Sequence, residues 1–491
     1  MTLEIPFLLG ASDAAQGAWP FIKAAGKFVG ICIEVVLLFN LLIFVHELGH
    51  FLAAKWRGLY VEEFALWFGK PLWRKRIGGV WYAINTVPAG GYVKLPQMAD
   101  MSSIEGASDH LPPEALKRVN PFDKIIVAFA GPLFSFLLAF AMATGVWLVG
   151  KPESDADQPI IGEVVANGPA FLAGLKAGDR VKEVDGKKVS HFATGTDSIT
   201  WAVIRSEGEK IPFIVERDGK ELPVIYSGWI REQTEGWRPA LRRVGIKNVI
   251  PASVGLVAPK SPGAKAGLQS GDVVVSAAGK PILSLEDLGE VARENFDKSI
   301  PLVVKRGTED VSLSLEMPAK PASEDAPIPL GVEWGRIAMK HPTPWRQVSD
   351  AATTIFRMVG ALTSPGSDVK AAHFSGPYGI LRLYYKVFDA PDGWRLALAL
   401  SVLINVNLAM LNLLPFPVLD GGHITLALVE AVRRKPMNVR VLEIVQTACA
   451  MLLIGFMLYV TFYDIGDTFG KKKPSSLEEK SKASEQATPK P

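Results

Sequence analysis

Four long apolar segments constrain the fold of this chain more than any other feature. Three of them, Ile125–Val149, Leu396–Leu419 and Ile444–Tyr463, contain no charged residue, and Phe28–Ala54 is apolar apart from Glu34 and one short polar motif. Each reaches the roughly 20 residues that an α-helix needs to cross about 30 Å of hydrocarbon. Buried helices of a large soluble protein are the alternative, but such helices rarely contain so many uncharged residues in a row. We therefore expect four membrane-spanning helices.

Lysine and arginine concentrate in two of the connections between these segments. One is Lys55–Lys124, and the other is the short link that holds Arg433, Arg434, Lys435 and Arg440. Because positive residues favour the cytoplasmic side, both connections should lie inside, and the N-terminus and the long second connection should lie outside an inner (cytoplasmic) membrane. Lys471–Lys473 would then also lie outside, against the same rule.

Composition excludes several classes of protein. A net charge of +3 is too small to indicate a nucleic-acid partner. Cys32 and Cys449 both lie in apolar segments, so they predict no disulfide framework. Met1–Lys27 lacks the basic head and the cleavage site of a secretory signal, so we expect the first span to be retained. The lipid bilayer is thus the one partner that composition predicts, and we expect a monomer.

The long outer connection contains an internal repeat. Ile161–Val189 (IGEVVANGPAFLAGLKAGDRVKEVDGKKV) aligns with Val254–Ile282 (VGLVAPKSPGAKAGLQSGDVVVSAAGKPI) at an offset of 93 residues. Further on, Ile211–Glu221 aligns with Ile300–Asp310 at an offset of 89 for Ile211. A four-residue difference in one loop accounts for the change, and the pattern indicates a duplication.

Each copy resembles a PDZ domain of the kind associated with bacterial membrane proteases. The resemblance rests on a glycine in the first strand, a following proline, an AGL..GD motif and a second strand that ends in a turn. It implies a groove beside a strand, which accepts an extended peptide by β-augmentation. The alternative is that one or both copies only cover the mouth of an enzyme and bind nothing. Ala277–Ala278 replaces Val184–Asp185 in the second copy, so any two ligands need not match.

A polar motif, HELGH, interrupts the first apolar segment. His46 and His50 are four residues apart, so both imidazoles lie on one side of a helix, with Glu47 beside them. This arrangement is typical of zinc sites in which two histidines bind the metal and the glutamate acts as general base on water. Ionisable groups within a span are costly, and a bound metal would compensate them. The alternative is two core histidines that form hydrogen bonds to neighbouring helices.

A catalytic zinc site requires three protein ligands, and the third apolar segment suggests the missing one. It ends in NLLPFPVLDGGH, in which Asp420 is the one carboxylate and Pro415 and Pro417 remove helical hydrogen bonds just before it. Asn412 could bind a substrate backbone or an oxyanion. His423 remains an alternative third ligand, or a residue that orients Asp420.

HELGH together with NLLPFPVLDGG resembles the paired signature of the site-2 protease family of intramembrane zinc metalloproteases. The order of two spans, tandem PDZ domains and two further spans is similar to the bacterial RseP-type branch, which acts in envelope-stress signalling. The resemblance implies that His46, His50 and Asp420 bind Zn²⁺ and that Glu47 is the general base. It also implies that Asn412, Pro415 and Pro417 position a single-span substrate such as an anti-sigma factor, already shortened outside the membrane. Ser135, in AGPLFSF (Ala130–Phe136), stands where the family pattern predicts Asn, so its role stays open.

The segment GGVWYAINTVPAGGYVKLPQM (Gly78–Met98) alternates in polarity between glycine-rich ends, which predicts a β-hairpin. In the family such a segment resembles a re-entrant β-loop that offers an edge strand to the substrate. A cytoplasmic hairpin with a purely structural role is the alternative.

The predicted fold class is a polytopic α-helical membrane protein, with four transmembrane helices and a re-entrant β-hairpin, plus two extracytoplasmic α+β PDZ domains. The expected divisions are an outer segment at 1–27, a membrane core at 28–150 and 396–464, PDZ domains at 155–247 and 248–320, a connector at 321–395 with an amphipathic helix over His341–Leu362, and a disordered tail at 465–491. The function predicted is a zinc metalloendopeptidase. Two competing interpretations are a membrane-anchored PDZ scaffold with a vestigial metal site and a metal transporter.

Overall fold

The computed structural model describes residues 19–96, 98, 119–154, 157–233, 236–320, 329–335, 337–390, 392–435 and 439–470. The predictions for residues 1–18, for Lys471–Lys473 and for most of the tail lie outside this part of the chain. The chain forms two compact units. The first consists of Met1–Lys151, His341–Ile355 and Ser375–Phe462, and the second of Pro152–Lys340, Phe356–Phe374 and Tyr463–Pro491.

Long helices dominate the first unit. They are α1 (Trp19–Trp56), α2 (Pro121–Val149), α8 (Pro377–Asp389), α9 (Gly393–Asn412), α10 (Asp420–Arg433) and α11 (Val439–Phe469), the last of which runs on into the second unit. Four of them, α1, α2, α9 and α11, are long and apolar enough to cross a membrane, as the sequence predicts. α2 packs against α1, α9 and α10, so it lies at the centre of the unit. Small buried residues such as Ala139 and Ala143 allow these close approaches.

The third and fourth spans end at other residues than the sequence predicts. The uncharged run Leu396–Leu419 is not one helix, because α9 ends at Asn412 and α10 begins at Asp420. The two prolines in between cannot donate helical hydrogen bonds, which explains the break. α11 extends to Phe469, five residues into the segment expected to be a disordered tail.

A β-hairpin follows α1 and packs against it. It consists of β1 (Glu63–Ile77) and β2 (Val80–Lys94), which are antiparallel. The sequence predicts the hairpin within Gly78–Met98, but Gly78 and Gly79 form its turn, both with positive φ, and the partner strand precedes them. Residues 63–66 pair both with 81–84 and with 91–94. Within the part of the chain that the structure describes, no strand pairs with the other side of residues 91–94, so these residues form a sheet edge.

The strands of the second unit repeat one arrangement twice. β4 (Ile161–Val164), α3 (Pro169–Ala173), β5 (Arg180–Val184), β6 (Lys187–Lys188), α4 (Ile199–Arg205), β7 (Ile211–Arg217) and β8 (Lys220–Glu221) form the first copy. After β9 (Ile225–Ser227), β10 (Ile230–Glu232), β11 (Leu241–Arg243) and β12 (Ile246–Asn248), the second copy contains β13 (Val254–Val257), α5 (Pro262–Lys265), β14 (Val273–Ala277), β15 (Lys280–Pro281), α6 (Leu285–Glu294), β16 (Ser299–Arg306) and β17 (Glu309–Glu316). The sheet orders β6-β5-β7-β8 and β15-β14-β16-β17 correspond strand for strand, with β9 added beside β7 in the first copy.

Each copy has its own hydrophobic core and the same buried ion pair. Asp179 and Asp272 are fully buried, and each accepts two hydrogen bonds from an arginine, Arg217 or Arg306. The four residues keep the two sequence offsets of 93 and 89. The duplicated sequence therefore folds into duplicated tertiary structure.

The remaining elements precede or follow the two copies in the chain. They are β3 (Lys151–Ser154), which pairs with β19 (Ile337–Lys340), β18 (Val332–Trp334), which pairs with β13, and α7 (Pro344–Thr363). α7 covers the segment in which the sequence predicts an amphipathic helix, and a 3-10 turn at Ala371–His373 follows it.

Candidate metal centre

The two histidines of HELGH face each other on one side of α1. Their Nε2 atoms are 3.2 Å apart, because a spacing of four residues places two side chains one helical turn from each other. His46 is buried within the protein, and it lies in a candidate membrane span. A pair of imidazoles in this position needs polar partners, and the neighbouring elements supply them.

Asp420, the first residue of α10, completes a group of three. Its carboxylate oxygens lie 3.1 Å from His46 Nε2 and 3.3 Å from His50 Nε2. Among the residues that the structure describes, these three form the group of histidine, cysteine and acidic side chains that could hold one metal ion. Their ligand atoms all lie within 4.8 Å of one another. His50 and Asp420 are 370 residues apart in sequence, so only the fold brings them together.

The spacing within the cluster fits zinc. Zinc binds imidazole nitrogen and carboxylate oxygen at about 2.0–2.2 Å, so two ligands at corners of a tetrahedron lie roughly 3.3 Å apart. The observed separations of 3.1, 3.2 and 3.3 Å match that value. Three protein ligands also leave one tetrahedral position for water or substrate, as catalytic zinc sites require.

The outer nitrogens of the two imidazoles bind to α2. His50 Nδ1 lies 2.8 Å from the carbonyl oxygen of Val127, which can only accept, so Nδ1 carries the hydrogen. A neutral imidazole in that form presents the lone pair of Nε2 to the cluster, as a metal ligand must. His46 Nδ1 lies 3.0 Å from the hydroxyl of Ser135, which is fully buried.

Glycines allow the backbone to approach the cluster closely. A Cβ atom on Gly131 would lie 2.9 Å from His46 Nε2 and closer still to the ring of His50, so a side chain there would occupy the site. Gly421 and Gly422 pack against the carbonyls of the segment that precedes α10. A side chain at either position would clash with those backbone atoms, so the backbone next to Asp420 would have to shift.

Glu47 lies beside the histidines and next to the hairpin. A Cβ atom on Gly91 of β2 would lie 3.1 Å from Glu47 Cγ, which is tighter than most contacts of that kind. Gly91 therefore allows the sheet edge at residues 91–94 to pass directly beside Glu47. An extended peptide paired with that edge would lie near the cluster.

The structure also locates the other candidates from the sequence. Asn412 Nδ2 lies 3.4 Å from His46 Nε2, so this side chain borders the cluster. Pro415 and Pro417 lie in the non-helical segment between Asn412 and Asp420. His423 is not part of the metal-ligand group, and it lines a cavity together with Lys124 and Glu430.

Sequence reasoning missed three features of the centre: the Val127 carbonyl, Gly91 and the close fit of Gly131. A backbone carbonyl carries no sequence signal. The motif AGPLFSF did draw attention to α2, but the contact between Ser135 and His46 depends on how two helices pack 89 residues apart.

Comparison with known proteins agrees with this geometry. The model of the family described as Peptidase family M50 matches residues 34–456. The chain is 28% identical over 477 residues to a putative zinc metalloprotease of Vibrio cholerae, with 88% of this chain and 97% of that protein covered. It is 29% identical over 462 residues to the regulator of sigma-E protease RseP of Escherichia coli, with 87% and 97% covered. A protease RseP of Yersinia pestis is 29% identical over 465 residues, with the same coverage.

Proposed function

Because the chain belongs to peptidase family M50, we propose that it hydrolyses peptide bonds in membrane-spanning segments at a zinc centre formed by His46, His50 and Asp420. The prediction of a zinc metalloprotease is confirmed by the family and by relatives that cover most of the chain. The proposal rests above all on the spacing of the three ligand groups, which fits tetrahedral zinc, with both histidines in a candidate span.

The side chains around the cluster can carry out the proton transfers of hydrolysis. Zinc bound there supplies Lewis-acid chemistry, since it polarises a carbonyl and lowers the pKa of water. Glu47 accepts a proton from the attacking water and then donates it to the leaving amine. Asn412 can donate a hydrogen bond from Nδ2 to the substrate, and Pro415 and Pro417 shape the segment beside it.

A helical substrate must unwind before hydrolysis, because its carbonyls are engaged in helical hydrogen bonds. The sheet edge at residues 91–94 passes beside Glu47, and an extended peptide could bind along it by β-augmentation. In this proposal the hairpin β1–β2 is a re-entrant loop, and its edge holds the unwound substrate next to the cluster.

The two repeats of the second unit are, in this proposal, PDZ domains outside the inner membrane. Basic residues in the connection that contains β1 and β2 favour its cytoplasmic placement and the outer placement of the repeats. The domains would admit single-span proteins that are already shortened outside the membrane. Since two similar proteins are named for sigma-E regulation or as RseP, we propose an anti-sigma factor as the kind of substrate and envelope stress as the setting.

A Glu47→Gln variant tests the proposal directly. The purified chain in detergent should cleave a tagged single-span reporter in a chelator-sensitive manner, and the variant should lose at least a factor of about 100, since general-base catalysis contributes 10²–10⁴-fold. Its zinc content should remain near one per chain, because Glu47 is not a ligand. Glu34→Gln, an exposed change on the same helix, is the matched control and should retain activity.

Substantial cleavage by Glu47→Gln would refute the role of this residue. A wild-type chain that neither retains zinc nor cleaves would instead favour a membrane-anchored PDZ scaffold.

A further inference from the structure

One buried polar side chain on the last long helix is not explained by the metal centre itself. Across residues 440–462 of α11, Gln446 and Val460 are the buried residues, and the rest of this stretch is partly or fully exposed. Gln446 lies within a candidate span, where a polar side chain is unfavourable unless it has partners. The burial of this one amide therefore indicates a specific contact.

One partner of this amide lies in the segment that joins the two halves of the candidate site. Gln446 Nε2 donates a hydrogen bond of 3.3 Å to the carbonyl of Pro417. The acceptor lies in residues 413–419, between the end of α9 and the start of α10. Pro415 and Pro417 have no backbone N–H to donate. The N–H groups of Leu414, Phe416 and Leu419 bond to carbonyls in or just before the segment, and Gln446 adds a side-chain partner at Pro417.

Two kinds of contact hold the segment in place. Gly421 and Gly422, which follow Asp420, pack closely against the backbone between Leu413 and Pro417. In its middle, Pro415 and Phe416 are exposed, with half of the Phe416 surface accessible. The glycines thus fix the segment against the start of α10, and Gln446 fixes it to α11 directly beside the exposed Phe416.

We infer that Gln446 is a substrate-positioning residue, which fixes the Pro415–Pro417 backbone in the conformation that receives the substrate. This inference rests on the proposed function, because it assigns the exposed segment to substrate binding. Loss of the Gln446 amide should loosen that binding surface but leave Asp420 and the zinc in place. The effect should therefore appear in KM rather than in metal content.

The test compares Gln446→Met, which keeps the size of the side chain and removes its donor, with the wild-type chain. Thr447→Val is the matched control, since it also removes a polar group from α11 but at an exposed position. Steady-state cleavage of a tagged single-span reporter by the full chain in detergent gives KM and kcat. We expect KM to rise at least fivefold in Gln446→Met, with kcat, zinc per chain and thermal midpoint unchanged, and no change in Thr447→Val.

KM is informative because a smaller fraction of folded enzyme lowers the apparent kcat but leaves KM unchanged. If Gln446→Met has a wild-type KM, the inference is wrong, and a lower thermal midpoint with that KM would assign Gln446 to helix packing alone. If Gln446→Met fails to fold, Gln446→Asn decides, because its shorter amide stays polar but cannot reach Pro417. A wild-type chain that does not cleave the reporter would refute the proposed function and this inference with it, whereas cleavage with equal KM values refutes the inference alone.

Discussion

The hydroxyl of Ser135 is the hydrogen-bond partner of a candidate zinc ligand, His46. It is fully buried and lies 3.0 Å from the outer nitrogen of His46. Groups that bind the outer nitrogen of a histidine ligand fix the orientation of the ring, and their loss costs about 10–100-fold in metal affinity. Ser135 stands where the family pattern predicts Asn, but its hydroxyl can still orient the ring of His46.

Ser135→Ala should weaken zinc retention by about 10–100-fold, because His46 loses the partner that orients it. Competition with a fluorescent chelator measures this affinity on the purified chain. Thr144→Ala is the control. The Thr144 hydroxyl lies further along α2 and donates to the Phe140 carbonyl of its own helix. Equal zinc affinities in Ser135→Ala and wild type would show that the hydroxyl does not support His46.

At this scale the sequence predicts what depends on local spacing. His46 and His50 can be proposed as a pair because four residues make one helical turn. Asp420 could be added because a carboxylate after a broken helix is unusual in hydrocarbon. The partners of the outer nitrogens could not be proposed, because Ser135 and the Val127 carbonyl reach the histidines through the packing of α1 against α2.

At the scale of elements, the two repeats differ in sequence but keep one buried ion pair each. Burial raises the pKa of the Asp272 carboxyl, but hydrogen bonds from Arg306 and from the Gln269 amide outweigh burial and hold that pKa below its ordinary value. A carboxyl with a lowered pKa in the folded state stabilises the fold above its unfolded pKa of about 4. That contribution is lost as the pH falls from about 4 through the folded pKa.

Asp272→Asn should destabilise the second repeat at neutral pH by about 1–3 kcal/mol, because the charged hydrogen bonds to Arg306 weaken. Hydrogen exchange of the full chain, followed by mass spectrometry, should show faster exchange in β14 and β16 and no change in β5 and β7. Asp179→Asn is the matched control and should give the reverse pattern. If Asp272→Asn instead speeds exchange in the first repeat, or equally in both repeats, the repeats do not unfold separately.

Element boundaries show where local pattern and tertiary structure diverge. The repeats are predictable because a period in sequence produces a period in structure. The hairpin is misplaced by the sequence pattern because its partner strand, β1, has no clean alternation and contains four basic residues among its last eight. The third span is predicted too long, because seven uncharged residues after Asn412 look apolar but are not helical.

At the scale of the whole chain, residues far apart in sequence meet at the end of α11. Arg238 Nη2 and Nε bind Asp464 and Asp467 at 2.7 and 2.5 Å, and its Nη1 donates to the carbonyls of Ala372 and Phe374. Both carboxylates are nearly inaccessible, at 2% and 9% for their side chains. One guanidinium therefore balances two buried negative charges and joins three segments of the second unit.

Backbone packing reinforces this junction. A Cβ atom on Gly236 would lie 2.5 Å from the Gly466 carbonyl oxygen, and one on Gly466 would lie 2.6 Å from the ring of Trp237. These separations are too short for any side chain, so the two glycines permit the approach that brings Arg238 to the carboxylates. The junction is thus specified by charge and by shape together.

Arg238→Met should destabilise the full chain by about 3–5 kcal/mol, because removal of one partner leaves buried charges without compensation. Lys265→Met, which removes an exposed positive charge in the second repeat, should change stability by less than about 0.5 kcal/mol. Thermal unfolding in detergent measures both. The triple variant Arg238→Met with Asp464→Asn and Asp467→Asn should recover part of the loss, since the repelling carboxylates are then neutral. If the triple variant is less stable than Arg238→Met alone, other groups compensate the two carboxylates without the arginine. The stability of the junction would then depend on its backbone packing instead.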